Sequence, residues 1–161
     1  MRAASMRRGL GPLPSQFMGF WNRLFGRRQG TVLQPKRLDY LNEALALERQ
    51  GDYDAALTSY RLALRDHPSD PRVLQNMAIA YTKTNQVDEA IRYYHRALEC
   101  DPSLAGAHYG LAFLQMKRGE NEAAITHLRQ FLERPPRGAD AEKWTEHARQ
   151  ALGQLEQELT G

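Results

Sequence analysis

The sequence predicts an all-α stack of helical hairpins closed by one further helix, on three observations. Residues of one kind return every 34 positions: Ala44, Ala78 and Ala112; Ala56, Ala90 and Ala124; Pro68, Pro102 and Pro136. Within each period apolar residues step by three and four, the spacing of one helix face. Between the two stepped faces stands Gly51, Asn85 or Gly119, residue types that accept the left-handed backbone closing a helix. A period of this length is the mark of repeats that bury their apolar faces against one another.

In chain order, Tyr40, Glu43, Ala44 and Leu47 share the face of a first helix, and after Gly51 a second face runs through Tyr53, Ala56, Tyr60 and Ala63. The unit is a helical hairpin, and Tyr60, Tyr94 and Leu128 keep the same 34-residue step in the later copies. Alanines at 44, 78 and 112 oppose those at 56, 90 and 124, small enough to let the two helices of a pair approach closely. Each proline of the third column ends a second helix, because its nitrogen cannot donate the next hydrogen bond.

These columns resemble the tetratricopeptide repeat (TPR), matched three times, at 37–70, 71–104 and 105–138. The resemblance implies a right-handed TPR solenoid of three helix-turn-helix repeats and seven helices in all. Some positions depart from the family pattern. Glu43 stands for the usual Leu, Val87 and Asn121 replace the aromatic after the turn, and Phe131 fills a slot normally held by Ala, so a different neighbour must pack against the end of repeat three. From Asp140, a predicted N-cap, Trp144, Ala148, Ala151, Leu155 and Leu159 recur at helical spacing, so 139–161 is similar to the helix that covers the open end of such arrays. An unrelated helix packing elsewhere is the alternative.

Family use implies a function as well: first helices of successive repeats line a groove that binds peptides or helices. Carried over by position, the groove would present Leu41, Leu45 and Arg49 from repeat one. Repeat two would add Arg72, Gln75, Asn76, Ile79 and Lys83, and repeat three Tyr109, Phe113, Met116 and Lys117. The strip from Leu41 to Met116 is apolar for exposed surface, and such a patch marks an interaction site. The expected partner is a protein or peptide with an apolar face and acidic flanks. Members that grip a chaperone's C-terminal carboxylate use a fixed Lys, Asn and Arg set; here only Asn76 falls on it, with Leu41, Leu45, Gly106 and Gly110 at the other positions.

Composition sets the function classes aside. The net charge of +3 divides unevenly: residues 1–37 carry eight Arg or Lys and no acid, leaving fourteen basic against nineteen acidic residues in 38–161, a balance of −5. The basic pI belongs to the tail, which removes the main support for nucleic-acid binding by the repeats. No apolar run reaches the 18 or so residues of a membrane span, and Gly9, Gly11, Pro12 and Pro14 interrupt any signal-peptide core. The single cysteine, Cys100, is expected as a buried structural thiol. His67, His95, His108, His127 and His147 are dispersed without ligand spacing, so no metal site is expected. No phosphate loop or nucleophile motif is present, and Asp52, Asp54, Asp88 and Glu89 complement the dipoles of second helices; the expectation is no enzyme and no cofactor.

One stretch stands apart, FMGFWNRLFGRR at 17–28, within the basic tail 1–36. Phe17, Met18, Phe20, Trp21, Leu24 and Phe25 would form one stripe of a short amphipathic helix, with Arg27 and Arg28 just beyond. So short a helix forms only when its apolar face is buried. An anionic membrane surface would serve, giving a cytoplasmic protein peripheral to the membrane. Other readings stay open: the stripe docks into the groove, giving autoinhibition within one chain or a self-assembling scaffold or homo-oligomer, the acid-free N-terminus is a mitochondrial targeting segment in a eukaryote, Met18 is the true start, or the tail is disordered and has no role.

Overall fold

The computed structural model describes residues 39–160, and all regular structure among them is helical. Seven α-helices follow one another: α1 (Tyr40–Arg49), α2 (Tyr53–Asp66), α3 (Pro71–Lys83), α4 (Val87–Cys100), α5 (Ala105–Lys117), α6 (Asn121–Glu133) and α7 (Ala141–Thr160). The segment 17–28, whether as membrane anchor, docking or targeting element, lies outside the described residues. Among those described, no helix is long and apolar enough to cross a membrane.

The 34-residue period is a period of helices: α2, α4 and α6 start at Tyr53, Val87 and Asn121. Each first helix ends in the same way. Gly51, Asn85 and Gly119 have φ of 80°, 59° and 75°. Their amides donate to Glu48, Thr82 and Met116, and the next amides reach back to Leu47, Tyr81 and Gln115 at 2.8–3.0 Å. This paired closure satisfies carbonyls the helix would otherwise leave orphaned and turns the chain straight into the second helix. Helix starts are less uniform. The carboxylates of Asp39, Asp52 and Asp70 cap α1, α2 and α3 by accepting from backbone amides, each contributing about 1 kcal/mol, whereas α4, α5 and α6 begin without a side-chain cap. The later helices therefore depend more on packing.

That packing runs along the alanine columns. Ala44, Ala78 and Ala112, and Ala56, Ala90 and Ala124, are all fully buried, with large side chains such as Tyr60, Met77 and Leu111 filling the space around them. Two core clusters result, one through the first two hairpins and into α5, the other joining α5, α6 and α7. Phe131 belongs to the second at 1 % exposure, facing Ala148 and Ala151 of α7, which supplies the different neighbour its size requires. Glu43, in place of the usual Leu, is exposed and accepts from Ser59 Oγ at 3.2 Å, so its carboxylate joins α1 to α2 without entering the core.

α7 packs on α6 as a closing helix, its middle turns burying Ala148, Ala151 and Leu155. Arg129 and Glu156 pair across the two helices at 2.8 Å. The ends of the stripe depart from expectation: Trp144 and Leu159 are 43 % and 54 % exposed. A straight helix crossing another stays in contact over its central turns only, so the outer members of a regular stripe leave the core. Cys100 also corrects its expectation. It is the last residue of α4 and is exposed.

Candidate functional site

The family resemblance implied a binding surface on α1, α3 and α5, and the structure places its members in different settings. Leu41, Leu45 and Ile79 are half-buried against the first core cluster, and Tyr109, Phe113 and Met116 against the second. Ile79, Lys83, Tyr109 and Phe113 come together around one cavity of about 620 Å³. Leu41, Leu45, Arg49, Arg72, Gln75, Asn76, Met116 and Lys117 lie outside its described lining.

Several of these have other contacts. Asn76 meets the Tyr60 hydroxyl, and Gln75 packs against α5 at Gly106, where an added Cβ would come within 3.0 Å of its amide. Arg72 borders a shallow depression at the α2–α3 connection. Lys117 Nζ donates to Asn85 Oδ1 at 2.7 Å, tying the third hairpin to the turn of the second. The basic fringe read from the sequence is therefore spread over the array, and Lys83 is the charged residue at the cavity.

Further lining comes from residues outside the expected groove set. α6 and its end supply Phe131 and Pro136, α7 supplies Trp144, and α4 supplies Tyr94. Gly106 and Gly110 also line the space, and each makes room for a neighbouring side chain, Gln75 at Gly106 and Tyr94 at Gly110. At Gly110 the close approach is total: a Cβ there would stand 2.3 Å from Tyr94 Cζ. Tyr94, 3 % exposed, has its hydroxyl pushed up to about 12, by burial above all, with a hydrogen bond from Thr82 opposing and Glu48 adding. Its ring is a fixed, neutral surface at working pH.

The aromatic wall is cross-linked to α7. The Tyr109 ring lies 4.5 Å from Phe113, 5.2 Å from Phe131 and 5.4 Å, edge-on, from Trp144. The His147 ring stacks on Phe113 at 4.7 Å and 2°, and the Tyr109 hydroxyl and His147 Nδ1 share a hydrogen bond at 2.6 Å. Burial raises the Tyr109 pKa, so that hydroxyl stays neutral at working pH. Such aromatic contacts contribute about 0.5–1.5 kcal/mol each beyond area burial. The first turns of α7 are thus held over the cavity. Trp144 and His147 could have been flagged from sequence only by knowing where α7 crosses.

Three of the histidines meet in the fold. His95, His108 and His127, dispersed in sequence, converge on neighbouring helices, with His127 centred 5.2 Å from His108 and 6.1 Å from His95. His108 Nε2 donates to the Pro102 carbonyl, so His108 Nδ1 accepts from His127 Nδ1, both at 3.0 Å. Burial first, then the neighbouring histidines, lowers the pKa of His127 to about 4. Among the described residues no group of three or more His, Cys, Asp or Glu is placed to hold a metal ion.

Comparison with known proteins bears on the architecture. The chain matches tetratricopeptide-repeat family models at residues 41–105 and 85–143. No curated protein matches it. Among solved structures, it is similar to the type III secretion translocator chaperone SycD of Yersinia enterocolitica, at 16 % identity and TM-score 0.69, over 76 % of this chain and 84 % of that one. It is also similar to the TPR2B domain of yeast Sti1, at 24 % identity and TM-score 0.63, over 74 % and 94 %. The Sgt2 TPR domain of Aspergillus fumigatus matches at 22 % identity and TM-score 0.61, over 75 % and 77 %. With the repeat columns, the shared turn closure and two tetratricopeptide-repeat models that together span residues 41 to 143, this chain belongs to the tetratricopeptide-repeat family.

Proposed function

We propose that this protein is a non-catalytic adaptor that holds a peptide or helix of a partner protein in the groove between α3, α5 and α7. The observation that carries the reading is the cavity: about 620 Å³, lined by Ile79, Tyr109, Phe113 and Trp144, which lie outside the fully buried core, together with the core residue Phe131. Apolar concavities of this size with few polar groups are the usual form of a ligand site. Structural relatives support the use. Sti1 domains are solved with pHsp70 and pHSP90, and SycD with a peptide of the translocator YopD. Gripping a chaperone tail by its carboxylate is not part of the proposal, since Leu41, Leu45, Gly106 and Gly110 stand where that clamp needs basic or amide side chains.

The test is affinity capture by the full chain against the Tyr109→Ala/Phe113→Ala double variant. Capture should be lost while far-UV circular dichroism keeps its helical signal; equal capture by both proteins moves the site elsewhere. Recruitment to a membrane by residues 17–28 is a separate part of the proposal, motivated by the apolar stripe and its arginines. Co-sedimentation with anionic vesicles should require that segment, and a chain beginning at residue 37 that still sediments would remove it from the scheme.

A further inference from the structure

We infer that the segment held in this groove inserts one bulky apolar side chain, aromatic or leucine-like, against Trp144 and sets a carboxylate of its own beside Lys83. The inference rests on the adaptor reading and adds the chemistry of the ligand. Two features of the cavity carry it. Its lining includes the aromatic residues Tyr94, Tyr109, Phe113, Phe131 and Trp144, and Trp144, 43 % exposed with Lys143 Nζ 5.5 Å over its ring, leaves surface that an incoming ring or isobutyl group would bury. Buried aromatic anchors of that kind supply most of the affinity of a peptide interface.

Charge decides the rest. Among the described residues lining the cavity, Lys83 is the charged one, and it is exposed in the last turn of α3. A carboxylate there would pair with Lys83 once docked, while an arginine or lysine beside it would be repelled. The same argument ranks the chain's own residues 17–28 below a foreign acidic peptide. That segment brings aromatic side chains but also Arg23, Arg27 and Arg28, with no acid to meet Lys83.

The experiment pans a random twelve-residue phage-displayed peptide library on the full-length chain, then measures synthetic copies of the enriched peptides by fluorescence anisotropy. Expected are peptides sharing a Phe, Trp, Tyr or Leu with an Asp or Glu within four residues of it. Their affinity should fall roughly tenfold or more for Trp144→Ala and for Lys83→Glu, a loss that needs only about one desolvated contact. In a Trp21→Phe background, Trp144 emission should shift to the blue on peptide addition. Lys83 is exposed, so its charge reversal tests the idea without threatening the fold, and circular dichroism checks the Trp144 variant. Peptides that need Tyr109 and Phe113 but ignore both Trp144→Ala and Lys83→Glu overturn this inference and leave the adaptor reading intact. Enrichment of basic peptides, or a synthetic 17–28 peptide that outcompetes the acidic ones, overturns it in favour of self-docking. No enrichment, or enrichment untouched by Tyr109→Ala/Phe113→Ala, overturns the adaptor reading and this inference together.

Discussion

Gly110 is the position where one methyl group separates the packing argument from simple helix propensity. Alanine is the better helix former by about 1 kcal/mol, so propensity alone makes Gly110→Ala stabilising. The structure reverses the sign. The new Cβ would lie 2.3 Å from Cζ, 2.5 Å from the hydroxyl oxygen and 2.7 Å from Cε2 of Tyr94. A ring that is 3 % exposed cannot swing away, and overpacking of a filled core costs about 1–3 kcal/mol. With a clash this deep the upper half of that range applies, and the net loss is about 1–2 kcal/mol after the propensity gain. Gly106 is the internal control. Its Cβ would meet only the amide end of Gln75 at 3.0–3.2 Å, a flexible group that can give way, so Gly106→Ala should stay within about 0.5 kcal/mol of the parent. Urea unfolding followed by circular dichroism reads both, and the Gly110 cost should largely vanish in a Tyr94→Ala background, as coupling through one contact requires. Gly110→Ala at least as stable as Gly106→Ala would refute the claim that α4 and α5 meet through this glycine.

Other expectations follow from named contacts. Asn85 holds φ of 59°, so Asn85→Ala should lose about 1–2 kcal/mol of stability while Asn85→Gly stays near the parent, measured by thermal melts. Phe131→Ala should cost about 3–5 kcal/mol by emptying a 1 %-exposed site, and a smaller loss would mean that α7 collapses into the gap. His127 titrates near 4 in the folded chain, below the unfolded value of 6.5, so its neutral form supports folding fully above pH 6.5. That support is lost as pH falls from 6.5 towards 4. His127→Asn should flatten the decline relative to the parent in urea titrations across that window, and identical pH profiles for the two proteins would count against the buried His108–His127 pair.

What the sequence determined alone was everything that repeats locally. Gly51, Asn85 and Gly119 each take the left-handed turn, and all six column alanines are fully buried, because turn chemistry and helix-face periodicity are properties of a few consecutive residues. Tertiary structure decided what depends on how one helix crosses another. It carried Trp144 out of a regular apolar stripe and onto the cavity, stacked His147 on Phe113, gathered His95, His108 and His127 from three helices, and left Cys100 exposed. It also separated the groove residues carried over from the family resemblance, keeping Ile79, Lys83, Tyr109 and Phe113 around one cavity while Lys117 turned to Asn85 and Asn76 to Tyr60. Spacing reports which face of a helix a residue occupies; only the packed neighbours fix whether that face meets the core, another side chain or open space.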